Sequence, residues 1–128
     1  MVYSSDVNRL IELLIESNKK DQKVQGVILA AAANETIKKI DIKEGIVKTI
    51  PRETVYHAQT PQTFFKHTLI ESYLRAEDEN FMATDDSMLV ERAGYKVKIL
   101  KGTHENIKIT TPTDLFLAEL IISKNGIH

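Results

Sequence analysis

The chain has 128 residues, the size of one domain or of part of one. It is 42% hydrophobic and 27% charged with a formal net charge of −1, which fits a soluble globular protein and gives no excess charge for non-specific binding to nucleic acid or to a membrane. There is no cysteine, hence no disulfide and no thiolate metal site; no apolar run reaches the roughly 18 residues of a membrane span, and the N-terminus lacks a basic-then-apolar signal pattern, all of which suits a cytoplasmic protein.

In chain order, Val7, Leu10, Ile11, Leu13, Leu14 and Ile15 recur at helical spacing behind the capping cluster Ser4-Ser5-Asp6, so a helix is expected from about Ser5 to Ser17. A polar loop runs from Asn18 to Gln22. Val24 to Ala33 is an apolar segment with few polar breaks, as in a strand buried on both faces of a parallel sheet. Two β-type runs follow, Thr36 to Ile40 and Ile46 to Ile50, around the polar turn Asp41 to Gly45. Pro51 ends this hairpin and Thr54-Val55-Tyr56 resumes extended structure. A lone hairpin is marginally stable in water, so this one is expected to pack on a partner.

A helix is expected from Thr63 to Arg75, with Phe64, Phe65, Leu69, Tyr73 and Leu74 as packing residues, then an acidic loop to Asn80. A short helix spans Asp85 to Ala93, stopped by Gly94, with Thr84 as a credible N-cap. Tyr95 to Leu100 alternates as an edge strand does. Lys108 stands on a further β-branched run, and a last helix runs from Pro112 to about Ser123, with Asn125-Gly126 ending it. There Thr111 is a good N-cap, Pro112 fits the first helical position and Asp114 is placed as a capping carboxylate. A helix N-terminus close to a lysine is a natural anion site, although an ordinary strand-turn-helix with a solvated lysine accounts for the same ten residues.

Alternating strands and helices argue for α/β layers. The glycines, Gly26, Gly45, Gly94, Gly102 and Gly126, are too far apart for a phosphate-binding loop, so these residues contain no recognisable triphosphate cradle. The histidines are His57, His67, His104 and His128; none has another His or a carboxylate at ligand spacing, and no metal site is expected.

Three segments occur in a fixed order: Gln59-Thr60-Pro61-Gln62 followed by an aromatic, Thr84-Asp85-Asp86 ahead of Leu89-Val90-Glu91, and Asn106-Ile107-Lys108-Ile109-Thr110-Thr111-Pro112 ahead of Asp114-Leu115. Each is weak alone. Together, over about Asp6 to Ile121, the chain resembles the C-terminal half of 2-C-methyl-D-erythritol 4-phosphate cytidylyltransferases of the non-mevalonate isoprenoid pathway. The resemblance implies an α/β fold, a partial Rossmann-like nucleotidyltransferase sheet flanked by helices, with a protruding β-hairpin arm at about 35–57 that exchanges across a homodimer. Residues 1–128 would be the C-terminal part of a single cytidylyltransferase domain.

The implied reaction joins CTP and methylerythritol phosphate, whose phosphate attacks the α-phosphorus and releases pyrophosphate. It needs positioning and charge neutralisation, with Mg²⁺. By resemblance Lys108 contacts the acceptor phosphate and Arg52 reaches into the neighbouring subunit's site, these two being the implied catalytic pair. Thr36, Thr60 and Thr84 are implied acceptor contacts, and Asp85 is a candidate hydrogen-bond acceptor beside them. Glu35-Thr36 departs from the family's Asp-Thr by one methylene. The residues that bind CTP and Mg²⁺ belong mostly to the half of the family that this chain does not resemble, so the chain alone is expected to be inactive and only marginally folded without a dimer partner. Two other readings stay open: a ribitol-phosphate cytidylyltransferase portion, and a non-catalytic dimerisation module.

Overall fold

The structure is a computed structural model that describes residues 4–126; His128 lies outside them. Helix α1 (Ser4–Lys20) leads into β1 (Val24–Ala32), then the hairpin β2 (Ile37–Ile40) and β3 (Val47–Ile50), a short 3₁₀ turn at Arg52–Thr54, β4 (Tyr56–Phe64), α2 (Lys66–Asp78), α3 (Asp86–Arg92), β5 (Lys96–Lys101) and α4 (Pro112–Lys124). The main sheet has three strands in the order β4-β1-β5.

β1 is almost wholly buried, as its apolar run, broken only by Gln25, requires. The sheet is mixed rather than parallel: β5 runs parallel to β1, but β4 runs antiparallel to it. β4 takes in the whole of Gln59-Thr60-Pro61-Gln62-Thr63-Phe64, including the residues expected to open a helix. Pro is a poor strand former, so at Pro61 pairing with β1 overrides local preference. The Thr60–Pro61 peptide is cis, and the β1–β4 register shifts between Ile28 and Ala30.

Leu10 and Leu14 of α1 pack against Val27 and Leu29 of β1, with Leu13, Phe65 and Leu100 around them. Leu10 is fully buried, so truncating it to Ala costs about 2–5 kcal/mol. Gly26 lies opposite Phe64, and a Cβ there would collide with the Phe64 ring, so the glycine lets the ring lie on the strand. α2 begins later than expected and runs on through most of the anticipated acidic loop. It buries its small residues Thr68, Ser72 and Ala76, at i, i+4 and i+8, and leaves Tyr73 and Leu74 about half exposed. The Thr68 hydroxyl donates to Gln25 Oε1 at 2.5 Å and the Ser72 hydroxyl to the Thr68 carbonyl at 2.7 Å, so the polar groups that small residues bring inside are paired.

The hairpin forms a separate two-stranded sheet. Asp41 accepts the backbone N–H groups of Lys43 and Glu44, and Gly45 takes a left-handed φ of 69°, which closes the turn. Its residues are almost all exposed, including Ile40, Ile42, Ile46 and Val47.

The expected strand around Lys108 is not formed: residues 106–110 have no regular secondary structure. Ile107 and Ile109 favour extended backbone, but no strand pairs with them among the described residues. Side chains of other segments hold this loop instead.

Candidate functional site

β4 is the strand on which the site is built. Gln59 Nε2 donates to the carbonyls of Thr103 (2.7 Å) and Asn106 (3.2 Å), pinning the loop that carries Lys108. Asn106 Nδ2 returns a hydrogen bond to the Thr60 carbonyl at 2.8 Å. Three residues on, Gln62 Nε2 donates to Asp85 Oδ2 at 3.0 Å, and Gln62 Oε1 accepts from the Ser87 N–H at 3.2 Å. One glutamine therefore fixes the Lys108 loop and the other fixes the start of α3.

Between these walls lies a cavity of about 310 Å³, lined by Thr60, Thr84, Asp85 and Lys108 together with Gln59, Gln62 and Asn106. Thr60, Thr84 and Lys108, drawn from three distant segments, thus meet at one place, and the candidate acceptor Asp85 meets them there. Arg52 and Thr36 do not line this cavity. They sit at the base of the hairpin, where Arg52 Nη1 donates to the Asn34 carbonyl at 2.7 Å and Asn34 Nδ2 lies 3.1 Å from His104 Nε2.

The free chemistry of the cavity is sparse and suited to an anion. Among the described residues the Lys108 ammonium and the Thr60 hydroxyl have no side-chain partner. Asp85, not Thr84, is the N-cap of α3: its Oδ1 accepts the Met88 N–H at 2.8 Å, so both carboxylate oxygens are engaged. The Thr84 hydroxyl has only a 3.7 Å contact to the Met88 sulfur and stays available to a ligand. A more open depression of about 720 Å³ adjoins across Thr84 and Asp85, but it is lined by Glu77, Asp85 and Asp86 with no basic residue, which suits a phosphate poorly.

The N-terminus of α4 is not the anion site that its position suggested, because the chain fills it. Thr111 and Asp114 form a reciprocal capping box. Asp114 Oδ2 accepts the N–H groups of Thr110 and Thr111 and the Thr110 hydroxyl. These bonds, the Thr110 N–H first, hold the Asp114 carboxyl below its ordinary range. Lys108 is therefore the cation of the site without help from a free helix end.

Sequence reasoning missed Gln59, Gln62 and Asn106 as the framework. Their motif was visible, but their partners lie 23 to 47 residues away. The buried Gln59 Oε1 has no partner among the described residues and abuts Gly102, where a Cβ would overlap it. Among the described residues no three His, Asp or Glu side chains converge as a metal site. Mg²⁺ commonly takes one or two carboxylates together with substrate phosphates; the one carboxylate that lines this cavity, Asp85, has both oxygens engaged, so the cavity does not fit the Mg²⁺ that the resemblance implies.

The model of the family described as IspD, 2-C-methyl-D-erythritol 4-phosphate cytidylyltransferase, matches residues 2–124. The cytidylyltransferase of that name from Caldanaerobacter subterraneus is 40% identical over 113 residues, which cover 88% of this chain and 50% of that one. The one from Clostridium acetobutylicum is 40% identical over 122 residues, covering 94% and 52%. Among solved structures, the 4-diphosphocytidyl-2C-methyl-D-erythritol synthase of Anaerococcus prevotii superposes with a TM-score of 0.72 at 36% identity, covering 88% of this chain and 50% of that one. The 2-C-methyl-D-erythritol 4-phosphate cytidylyltransferase of Thermus thermophilus gives 0.68 at 31%, covering 89% and 54%. The chain spans about half the length of the curated relatives it matches. With a matching family model over nearly all its residues and the fold to go with it, the chain belongs to the 2-C-methyl-D-erythritol 4-phosphate cytidylyltransferase family.

Proposed function

We propose that residues 1–128 are the acceptor-binding and dimerisation portion of a cytidylyltransferase domain that joins CTP to 2-C-methyl-D-erythritol 4-phosphate in isoprenoid synthesis. The observation that carries this reading is the convergence of Thr60, Thr84 and Lys108 on one cavity. An ammonium with no side-chain partner among the described residues and two hydroxyls, that of Thr84 held only by the Met88 sulfur, are what a sugar-alcohol phosphate needs: charge neutralisation for the phosphate and hydrogen bonds for its oxygens. In this reading the acceptor phosphate, already a competent nucleophile, is held by Lys108 and oriented for attack on the α-phosphorus of CTP.

Arg52 belongs to the arm. The hairpin's exposed isoleucines and its separation from the main sheet support exchange between two copies, with Arg52, Thr36 and the arm at about 35–57 serving the partner's site. CTP and its Mg²⁺ are assigned to the part of the family domain that this chain does not match, so no step is routed through the metal here. The chain alone is expected to be inactive, and the reaction is assigned to the cytoplasm. Among the described residues no helix is long and apolar enough to cross a membrane.

The test is calorimetric titration of the chain with methylerythritol phosphate. Saturable binding that Lys108→Ala weakens at least tenfold, with an unchanged circular dichroism spectrum, is the expected result. Binding that ignores Lys108→Ala, or CTP-dependent turnover by the pure chain, would sink this reading.

A further inference from the structure

The Thr84 hydroxyl, which belongs to the cavity, donates to the Met88 sulfur at 3.7 Å. A thioether is a weak acceptor, so this contact yields readily to a better one such as a phosphate oxygen. Met88 is also placed where its side chain can change without harm to the fold. It stands between the buried residues Ser87 and Leu89 on α3 but is itself 37% exposed. Leu89 and Val90 are the apolar residues that α3 buries, and the Met88 N–H is held by Asp85 Oδ1 whatever the Met88 side chain carries. Met82 provides a contrast within the same chain. It is 88% exposed and lines the neighbouring depression rather than the cavity.

We infer that Met88 is an oxidation switch on the Thr84 hydroxyl. The oxidant is a peroxide. The sulfur lone pair attacks one peroxide oxygen, and an S–O bond forms as the O–O bond breaks. The new S–OH group passes its proton to the departing hydroxide, leaving methionine sulfoxide and water; the sulfur loses two electrons and the peroxide gains them. The sulfoxide oxygen is polar and accepts hydrogen bonds far better than the thioether did. It is one bond from an atom already 3.7 Å from the hydroxyl oxygen, so it falls within reach of the same proton. A hydroxyl has a single proton to donate. Once the sulfoxide holds it, an acceptor phosphate loses the bond from Thr84. Lys108 and Thr60 are untouched, so affinity falls rather than vanishes. The inference rests on the reading of Thr84 as an acceptor contact.

The experiment treats the chain with hydrogen peroxide, maps the sulfoxides by mass spectrometry and titrates the product with methylerythritol phosphate. Met82 is expected to oxidise first, with no effect on affinity. Met88 is expected to follow, with a loss of about tenfold, the worth of one hydrogen bond to a charged partner. Methionine sulfoxide reductases are expected to restore the affinity. Met88→Leu is expected to bind as the wild type does and to keep its affinity under peroxide. In Thr84→Val, which has no proton to give, oxidation of Met88 is expected to change nothing further. Full affinity with Met88 oxidised overturns the inference, as does an equal loss in either variant. So does a Met88 that stays unoxidised while Met82 reacts. NMR of the chain without ligand separates this claim from the functional reading: the Thr84 methyl resonance is expected to move when Met88 is oxidised, and its failure to move also overturns the inference. A reduced chain that binds no methylerythritol phosphate removes the functional reading, while that resonance still decides whether the sulfoxide takes the hydroxyl.

Discussion

Replacing Gly102 by Ala tests the framework of the site most directly. The backbone of Gly102 is not left-handed, so the cost must come from what the new Cβ meets. It meets Gln59 Oε1 inside contact distance, while Leu29 Cβ at 3.7 Å is an ordinary neighbour. An amide at the end of a flexible side chain can normally swing aside. This one is held by the Thr103 and Asn106 carbonyls at 2.7 and 3.2 Å. Swinging it out forfeits two hydrogen bonds of about 1 kcal/mol each, offset by about 0.4–1 kcal/mol because Ala restricts the unfolded chain more than Gly does. The net loss is about 1–1.5 kcal/mol. Urea unfolding of the wild type, Gly102→Ala, Gln59→Ala and the double variant completes a thermodynamic cycle. With Gln59 already truncated, Gly102→Ala is expected to be neutral or slightly stabilising, giving a coupling of about 2 kcal/mol. Equal cost in both backgrounds would refute the idea that Gln59 is what the glycine makes room for.

Gly26→Ala is expected to cost about 1–3 kcal/mol by overpacking against Phe64, seen as a lower urea midpoint with unchanged slope. Thr111→Ala removes one half of the capping box and about 1 kcal/mol of helix stability. Because α4 has no buried residue, this loss is expected as faster amide exchange within α4 at an unchanged global midpoint, and Thr111→Ser is expected to restore protection. The Asp114 carboxyl is held below its ordinary range, so its contribution is complete above the unfolded aspartate value of about 3.9 and vanishes as pH falls through the lower folded value. Amide protection in the first turn of α4 is therefore expected to hold from neutral pH down to about 4 and to drop in stronger acid; Asp114→Asn should remove the step there, while the acid loss of the Glu105 bonds to Lys124 and Asn125 at the other end of α4 remains.

What could be read in the sequence was what is decided locally. The α4 cap lies within Thr111 to Asp114, and the hairpin is written in Asp41 to Gly45 between two β-branched runs. Both stand in the structure as expected. Most of the failures are non-local. Gln59 to Phe64 became a strand because β1 offered it a ladder, against the propensity of Pro61. Ile107 to Ile109 stayed out of the sheet because no strand lay beside it among the described residues. Thr84 lost the α3 cap to its neighbour Asp85, whose carboxylate also reaches Gln62. The ordered resemblance of three motifs named Thr60, Thr84 and Lys108 as implied acceptor contacts, and in the structure the three line one cavity. Periodicity and charge alone do not link residues so far apart. Gln59 and Gln62 were quoted as motif letters, and only their hydrogen bonds show what those letters hold.

Both walls of the cavity hang from the same strand, three residues apart. The gauge of the opening is thereby fixed on β4, while its lining is supplied by the Lys108 loop and the start of α3. Such a division lets the contents be rewritten without retooling the frame. Substitutions at Thr84 or Ile107 can reshape what the opening admits, whereas a change at Gln59 or Gln62 loosens a wall and alters the fit for every guest at once.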